Sequence, residues 1–190
     1  YVDIDASARS ESELISRYRD ISTYPDVDNA VEEIVTEAIA AVDSEDPVYL
    51  DLEKLVLSDS IKKKIRDEFD EVISLLDFKD RAHDIFRRWY IDGRLYYQKV
   101  INPAQPKQGI QELRYVDPRK IRKVREVKKD KLPSGVEVIK SIDEFFIYNE
   151  KGLNYTPGTN PNNNNGIKIA TDTITFVPSG LLDLDRNVVL

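Results

Sequence analysis

The chain has 190 residues, 41% hydrophobic and 33% charged, with a formal net charge of −7, one histidine and no cysteine. That length supports one good core or two small ones, and no apolar run approaches the roughly 20 residues that a membrane helix needs. Without cysteine there are no disulfides, thiolate ligands or cysteine nucleophiles, so redox logic does not fix the compartment, although a reducing cytosol fits.

The chain opens on Tyr1 with no basic and apolar leader and stops at "RNVVL" without a polar tail, which reads as a piece of a longer protein. Near its start, "SESELISRY" offers a capping box of Ser10 and Glu13 ahead of Leu14, Tyr18 and Ile21, so a short helix is expected. In "PDVDNAVEEIVTEAIAAV", Val27, Ala30, Val31, Ile34, Val35, Ala38, Ile39 and Val42 form one apolar stripe, while Asp28, Glu32, Glu33 and Glu37 sit on other faces. Pro25 and Asp26 suit its start, where a missing N–H costs nothing and a negative charge meets the positive end of the dipole. A third helix is expected from Ser58 or Asp59 on the repeat Ile61, Ile65, Phe69, Val72, Ile73 and Leu76. A fourth is expected from Asp77 on Phe78, Ala82, Ile85, Phe86 and Trp89, with Gly93 as its stop. The third helix opposes its own electrostatics: Lys62, Lys63, Lys64 and Arg66 crowd the positive pole of the dipole, and Asp67, Glu68, Asp70 and Glu71 follow. Two readings fit, a solvated face tolerating a poor order or a partner surface.

Beyond Gly93 the pattern changes. Residues 1–92 carry 12 Lys+Arg against 24 Asp+Glu and residues 93–190 carry 16 against 11, and the helical spacing gives way to short β-branched and aromatic runs. The division expected is therefore 1–92 helical and 93–190 β-rich, as two parts or one composite domain. Candidate strands are "RLYYQKVI", "IQELRYVD", "IRKVREVKK", "GVEVIKSIDEFFIYN" and "GIKIATDTITFVP". The fold class this implies is α+β, with amphipathic helices in the N-terminal half packed on a small, mostly antiparallel sheet or partial barrel in the C-terminal half. The spacer "NEKGLNYTPGTNPNNNNG" offers nothing to bury, so Asn160 to Asn165 are expected to form a mobile loop. Its "NYT" matches a glycosylation sequon but lacks any sign of secretion to support it.

Catalytic sets are scarce. The sequence has no G-x-x-x-x-G-K-[ST], no G-x-G-x-x-G and no G-x-S-x-G. His83 stands beside Asp84 on an acidic helix, and one histidine without cysteines cannot build a zinc cluster, so a structural or surface role is expected. Asp117 followed by Glu126-Val127-Lys128 mimics the acid and E-x-K pattern of metal-dependent nucleases, which keeps a nuclease domain as an alternative.

The densest positive charge lies in "ELRYVDPRKIRKVREVKK", broken by Asp117-Pro118. Arg119, Lys120, Arg122, Lys123, Arg125, Lys128 and Lys129 could neutralise several phosphates if they faced one way. A strand instead sends Arg119, Ile121, Lys123, Arg125 and Val127 to one face and Lys120, Arg122, Val124, Glu126 and Lys128 to the other. Such a strand belongs at a sheet edge or under a partner. Solvated strand, interaction surface and nucleic-acid contact all remain open on composition.

Here resemblance adds information. "ELRYVDPRKIRKVREV", "YPDVDNAVEEIVTEAI" and "TITFVPSGLLDLDRNVVL" resemble, in the same order, stretches of the portal vertex proteins of large contractile-tailed bacteriophages. The resemblance covers most of the chain and implies the wing region that precedes the channel-lining stem, without the clip and crown. It also implies a ring, generally of twelve subunits, at one capsid vertex of the virion, assembled in the host cytoplasm. Such a ring serves genome packaging and head-to-tail connection. The implied partners are other portal subunits and, through the full-length chain, capsid protein, terminase and neck proteins. DNA would pass through the channel without being gripped by this part, and neither a cofactor nor enzymatic activity is implied. The basic segment then reads as a subunit or capsid contact. A free-standing interaction module remains the other alternative.

Overall fold

The computed structural model describes residues 4–39, 47–131, 137–153 and 166–180; for 4–10, 127–131 and 137–140 it describes the backbone alone. The asparagine run, the "NYT" triplet and the last ten residues lie outside the described residues. Among the described residues four helices come first: α1 Ile4–Ile21, α2 Pro25–Ile39, α3 Asp59–Leu75 and α4 Phe78–Asp92. Six strands follow: β1 Arg94–Ile101, β2 Ile110–Val116, β3 Ile121–Lys131, β4 Glu137–Tyr148, β5 Ile167–Ala170 and β6 Ile174–Pro178.

α1 is longer than expected. It runs for 18 residues, so Ser10 lies in its interior instead of capping it. Ala6 and Ala8 are strong helix formers, and extending a nucleated helix costs far less than starting one, so a capping box inside such a run has no helix end to serve. Its inward face also differs: Ser12 and Ile15 are buried, whereas Tyr18 and Ile21 remain 44% and 48% exposed. α2 follows the expected stripe, with Val31 and Val35 buried. α4 packs on α1, α2 and α3 and continues directly into β1. Gly93 ends it in the left-handed region at φ 70°, donating its N–H to the Trp89 carbonyl at 2.9 Å, the conformation glycine adopts without a Cβ penalty. α3 buries none of its residues.

The strands form two three-stranded antiparallel sheets, ordered β2-β1-β6 and β3-β4-β5, rather than a barrel. The segment read as one strand, "GIKIATDTITFVP", is divided by a single 3₁₀ turn at Thr171–Thr173, which carries the chain from one sheet to the other. The core lies between the sheets: Tyr96 and Ile174 come from one and Ile121 and Phe146 from the other. Tyr96 stacks on Phe176 at 4.8 Å between ring centroids and meets Phe146 edge-on at 6.0 Å. Such aromatic pairs add about 0.5–1.5 kcal/mol each beyond burial. Gly166, at the start of β5, is a close approach, because a Cβ there would fall inside contact distance of the Tyr148 carbonyl oxygen.

Candidate functional site

The crossing from β2 to β3, where the basic segment begins, is a tight turn written by Asp117-Pro118-Arg119-Lys120. Proline suits the second position of a turn and aspartate the first. Accordingly the Lys120 N–H donates to the Asp117 carbonyl at 2.8 Å, and the Arg119 N–H donates to Asp117 Oδ1 at 2.9 Å. Arg119 Nη2 also donates to Asp117 Oδ2 at 2.8 Å. From α1, Arg19 Nη1 reaches Asp117 Oδ2 at 3.1 Å, while its Nε and Nη2 hold Asp92 Oδ1 and Oδ2 at 2.8 and 2.6 Å. Asp92 is 2% exposed. One guanidinium thus fastens α1 to the end of α4 and to the β2–β3 turn.

The electrostatics follow from this geometry. Burial pushes the Asp117 carboxyl up, but hydrogen bonds from the Arg119 side chain and backbone and from Arg19 outweigh it and hold the group at about 2. The Asp92 hydrogen bond, ahead of the Asp117 contacts, binds the Arg19 proton more firmly than usual. Burial pushes Tyr115, beside this pair, up to about 12.

A second ionic group lies between α1 and the sheets. Arg94 is 3% exposed; its Nη1 lies 3.8 Å from Glu11 Oε2 and its Nε donates to the Asp92 carbonyl at 3.4 Å. Arg122, a cation of the basic stretch that turns inward, is 7% exposed and acts on the same carboxylate. Burial raises the Glu11 carboxyl against the pull of Arg94 and Arg122. Buried charges survive only when paired and hydrogen-bonded. The basic stretch is therefore partly a structural feature of its own fold.

On the opposite face, β3 lies at the edge of its sheet, as its two-faced charge pattern requires. Lys123 Nζ meets Glu144 Oε2 at 2.6 Å and Arg125 Nε lies 3.9 Å from Glu144 Oε1, a diagonal and a direct cross-strand pair. Lys120 is half-buried, and the side chains of Lys128 and Lys129 lie outside the described residues. The five cations of this stretch whose side chains are described do not converge.

The nuclease alternative finds no support in this geometry. Asp117 is committed to two arginines, and Glu126 lies in register with another acid, Asp143. Among the described residues no three His, Asp or Glu side chains gather as metal ligands. His83 Nε2 lies 3.0 Å from Glu32 Oε2, and one turn on Arg87 grips Asp28 and Glu32 at 2.6 and 2.5 Å. This histidine ties α4 to α2. Sequence reasoning passed over Arg19, Glu11, Asp92 and Arg94; the available signal was charge at positions whose helical and strand neighbours turn inward.

These features define a class: an α+β scaffold whose polar groups join elements together, without an assembled reaction centre among the described residues. A family model described as Bacteriophage T4-like portal protein (Gp20) matches residues 11–190, and the chain belongs to that family. It is 36% identical over 186 residues to the portal protein of Vibrio phage KVP40, covering 94% of this chain and 36% of that protein. It is 33% identical over 150 residues to the portal protein of Salmonella phage ViI, covering 78% of this chain and 27% of that protein. The chain thus spans about a third of the curated relatives it matches.

Proposed function

We propose that this chain is the wing-region part of a portal subunit. It is a structural piece of a ring, generally of twelve copies, at the unique vertex of a phage capsid, serving genome packaging and head-to-tail connection. The observation that carries this reading is the family match over nearly the whole chain, together with relatives that are themselves portal proteins. Residues 1–92 and 93–190 act as one composite unit in this reading, supported by Arg19 joining α1, α4 and the β2–β3 turn. The part has no catalytic role and needs no cofactor. Its acidic helical half opposes a grip on DNA. Lys120 of the β2–β3 turn and Lys123 and Arg125 of the edge strand β3 contribute to a subunit or capsid contact, with Lys128 and Lys129 continuing it, while Arg119 and Arg122 serve the fold.

The test is electron microscopy of the purified polypeptide that contains this chain at the length of its relatives. Closed rings are expected. A monodisperse monomer under conditions where the 1–190 part is folded overturns the reading, as does magnesium-dependent DNA cleavage abolished by Asp117→Asn.

A further inference from the structure

The helix α3 packs on α4 and touches β2, yet none of its residues is buried. One side of it is engaged within the chain: half-buried Phe69 and Ile73 line a cavity of about 560 Å³ together with Leu50 and Phe78. Another side faces water. Ile61, Lys64, Ile65, Glu68 and Val72 recur at i, i+3, i+4, i+7 and i+11 and so share one face. Ile61 and Val72 are 47% and 44% exposed, Lys64 and Glu68 are exposed, and Ile65 is half-buried.

The charges of α3 fall into two blocks, four cations within residues 62–66 and four acids within residues 67–71. Among the described residues none of these eight takes part in an ion pair. Within one helix the order is unfavourable twice over, because the cations stand at the positive pole of the dipole and a Lys-to-Glu step of four residues is the weaker orientation. A second copy of α3 laid antiparallel answers both blocks at once. Its acids and the negative end of its dipole lie beside the basic block, and its cations and positive end lie beside the acidic block. A parallel neighbour in register would instead set like charges and like poles side by side. The antiparallel register centred between residues 66 and 67 also brings Ile61 alongside Val72 of the other copy and Lys64 within one residue of its Glu68, each pair occurring twice.

We propose that α3 pairs antiparallel with α3 of a second copy of this chain through Ile61, Lys64, Ile65, Glu68 and Val72. The same patch serves on both copies, so the contact is two-fold, whereas a ring closes through head-to-tail contacts. It therefore goes beyond the portal reading and does not rest on it: the copies it pairs belong to different rings or to none. One helix face falls short of the roughly 1,200–2,000 Å² of a stable interface, so the pairing is weak and must be trapped.

The chain has no cysteine, so single replacements report position without a background. Ile61→Cys and Val72→Cys are made as separate chains, checked for native circular dichroism, and treated with a short bismaleimide alone and mixed. Antiparallel pairing holds each replaced position roughly 16 Å along the axis from its own counterpart but beside the other. The mixture is expected to give a cross-linked dimer at least tenfold above either chain alone, falling as salt screens the blocks. Lys64→Glu in both chains should lower that yield about tenfold by setting acid against acid. Adding Glu68→Lys to both should restore it, because the exchanged charges meet again across the pair. Self cross-linking of either chain at the level of the mixture would overturn the proposal, as would a mixed dimer indifferent to Lys64→Glu, or an exchange that fails to restore it.

Discussion

Arg19→Ala removes the cation that joins α1 to both Asp92 and Asp117. The two carboxylates differ in what they retain. Asp117 is 21% exposed on its side chain and keeps Arg119 at 2.8 Å, so its loss is partial. Asp92 is 2% exposed and loses a two-pronged partner at 2.6 and 2.8 Å. A buried charge stripped of its partner typically costs about 3–5 kcal/mol, a large share of the 5–15 kcal/mol that holds a domain folded. Most of that cost should be the stranded carboxylate rather than lost attraction. Adding Asp92→Asn to the Arg19→Ala variant should therefore restore about 1–3 kcal/mol, a coupling a double-mutant cycle isolates. Adding Asp117→Asn should restore much less. Urea unfolding followed by Trp89 emission reads the junction, since Trp89 lies one turn before Asp92. A loss below about 1 kcal/mol for Arg19→Ala, or equal rescue by the two Asn changes, would show that Asp92 is not the buried charge this guanidinium compensates.

Stability should fall with acid in a window set by Asp117. Its folded value of about 2 lies below the ordinary 3.8, so the contribution is complete above about pH 5 and is lost as pH falls through 2. On the order of 1–2 kcal/mol is involved, and Asp117→Asn should flatten the thermal-melt profile across that range. Gly166→Ala should cost about 1–3 kcal/mol in chemical denaturation, because the added methyl meets the backbone carbonyl of Tyr148, which cannot step aside like a flexible side chain. Arg87→Ala should cost only about 1 kcal/mol, and less at high salt, since its partners Asp28 and Glu32 are 46% and 43% exposed. A larger, salt-independent loss in calorimetry would mean that the α2–α4 clamp is effectively buried.

Local chemistry made much of this protein legible from its sequence. The ends of α4 at Asp77 and Gly93, the apolar stripe of α2, the bounds of β1 and the turn at Asp117-Pro118 follow from dihedral preferences and side-chain periodicity, which act over a few residues. The edge position of β3 follows as well, because a strand charged on both faces cannot be enclosed by two neighbours. What the sequence left undetermined was which charges meet which. Arg19 and Asp92 are 73 residues apart and Arg19 and Asp117 are 98 apart, and no local rule selects such partners. The basic stretch looked like one patch because sequence order records only neighbours along the chain. The tertiary structure turned Arg122 inward to Glu11, committed Arg119 to its own turn and left Lys123 and Arg125 to Glu144. Likewise, only the packing of α1 decided that Ile15 is buried while Tyr18 and Ile21 stay out. An amphipathic helix presents a broad apolar face, and the neighbours it meets determine which part of that face leaves water.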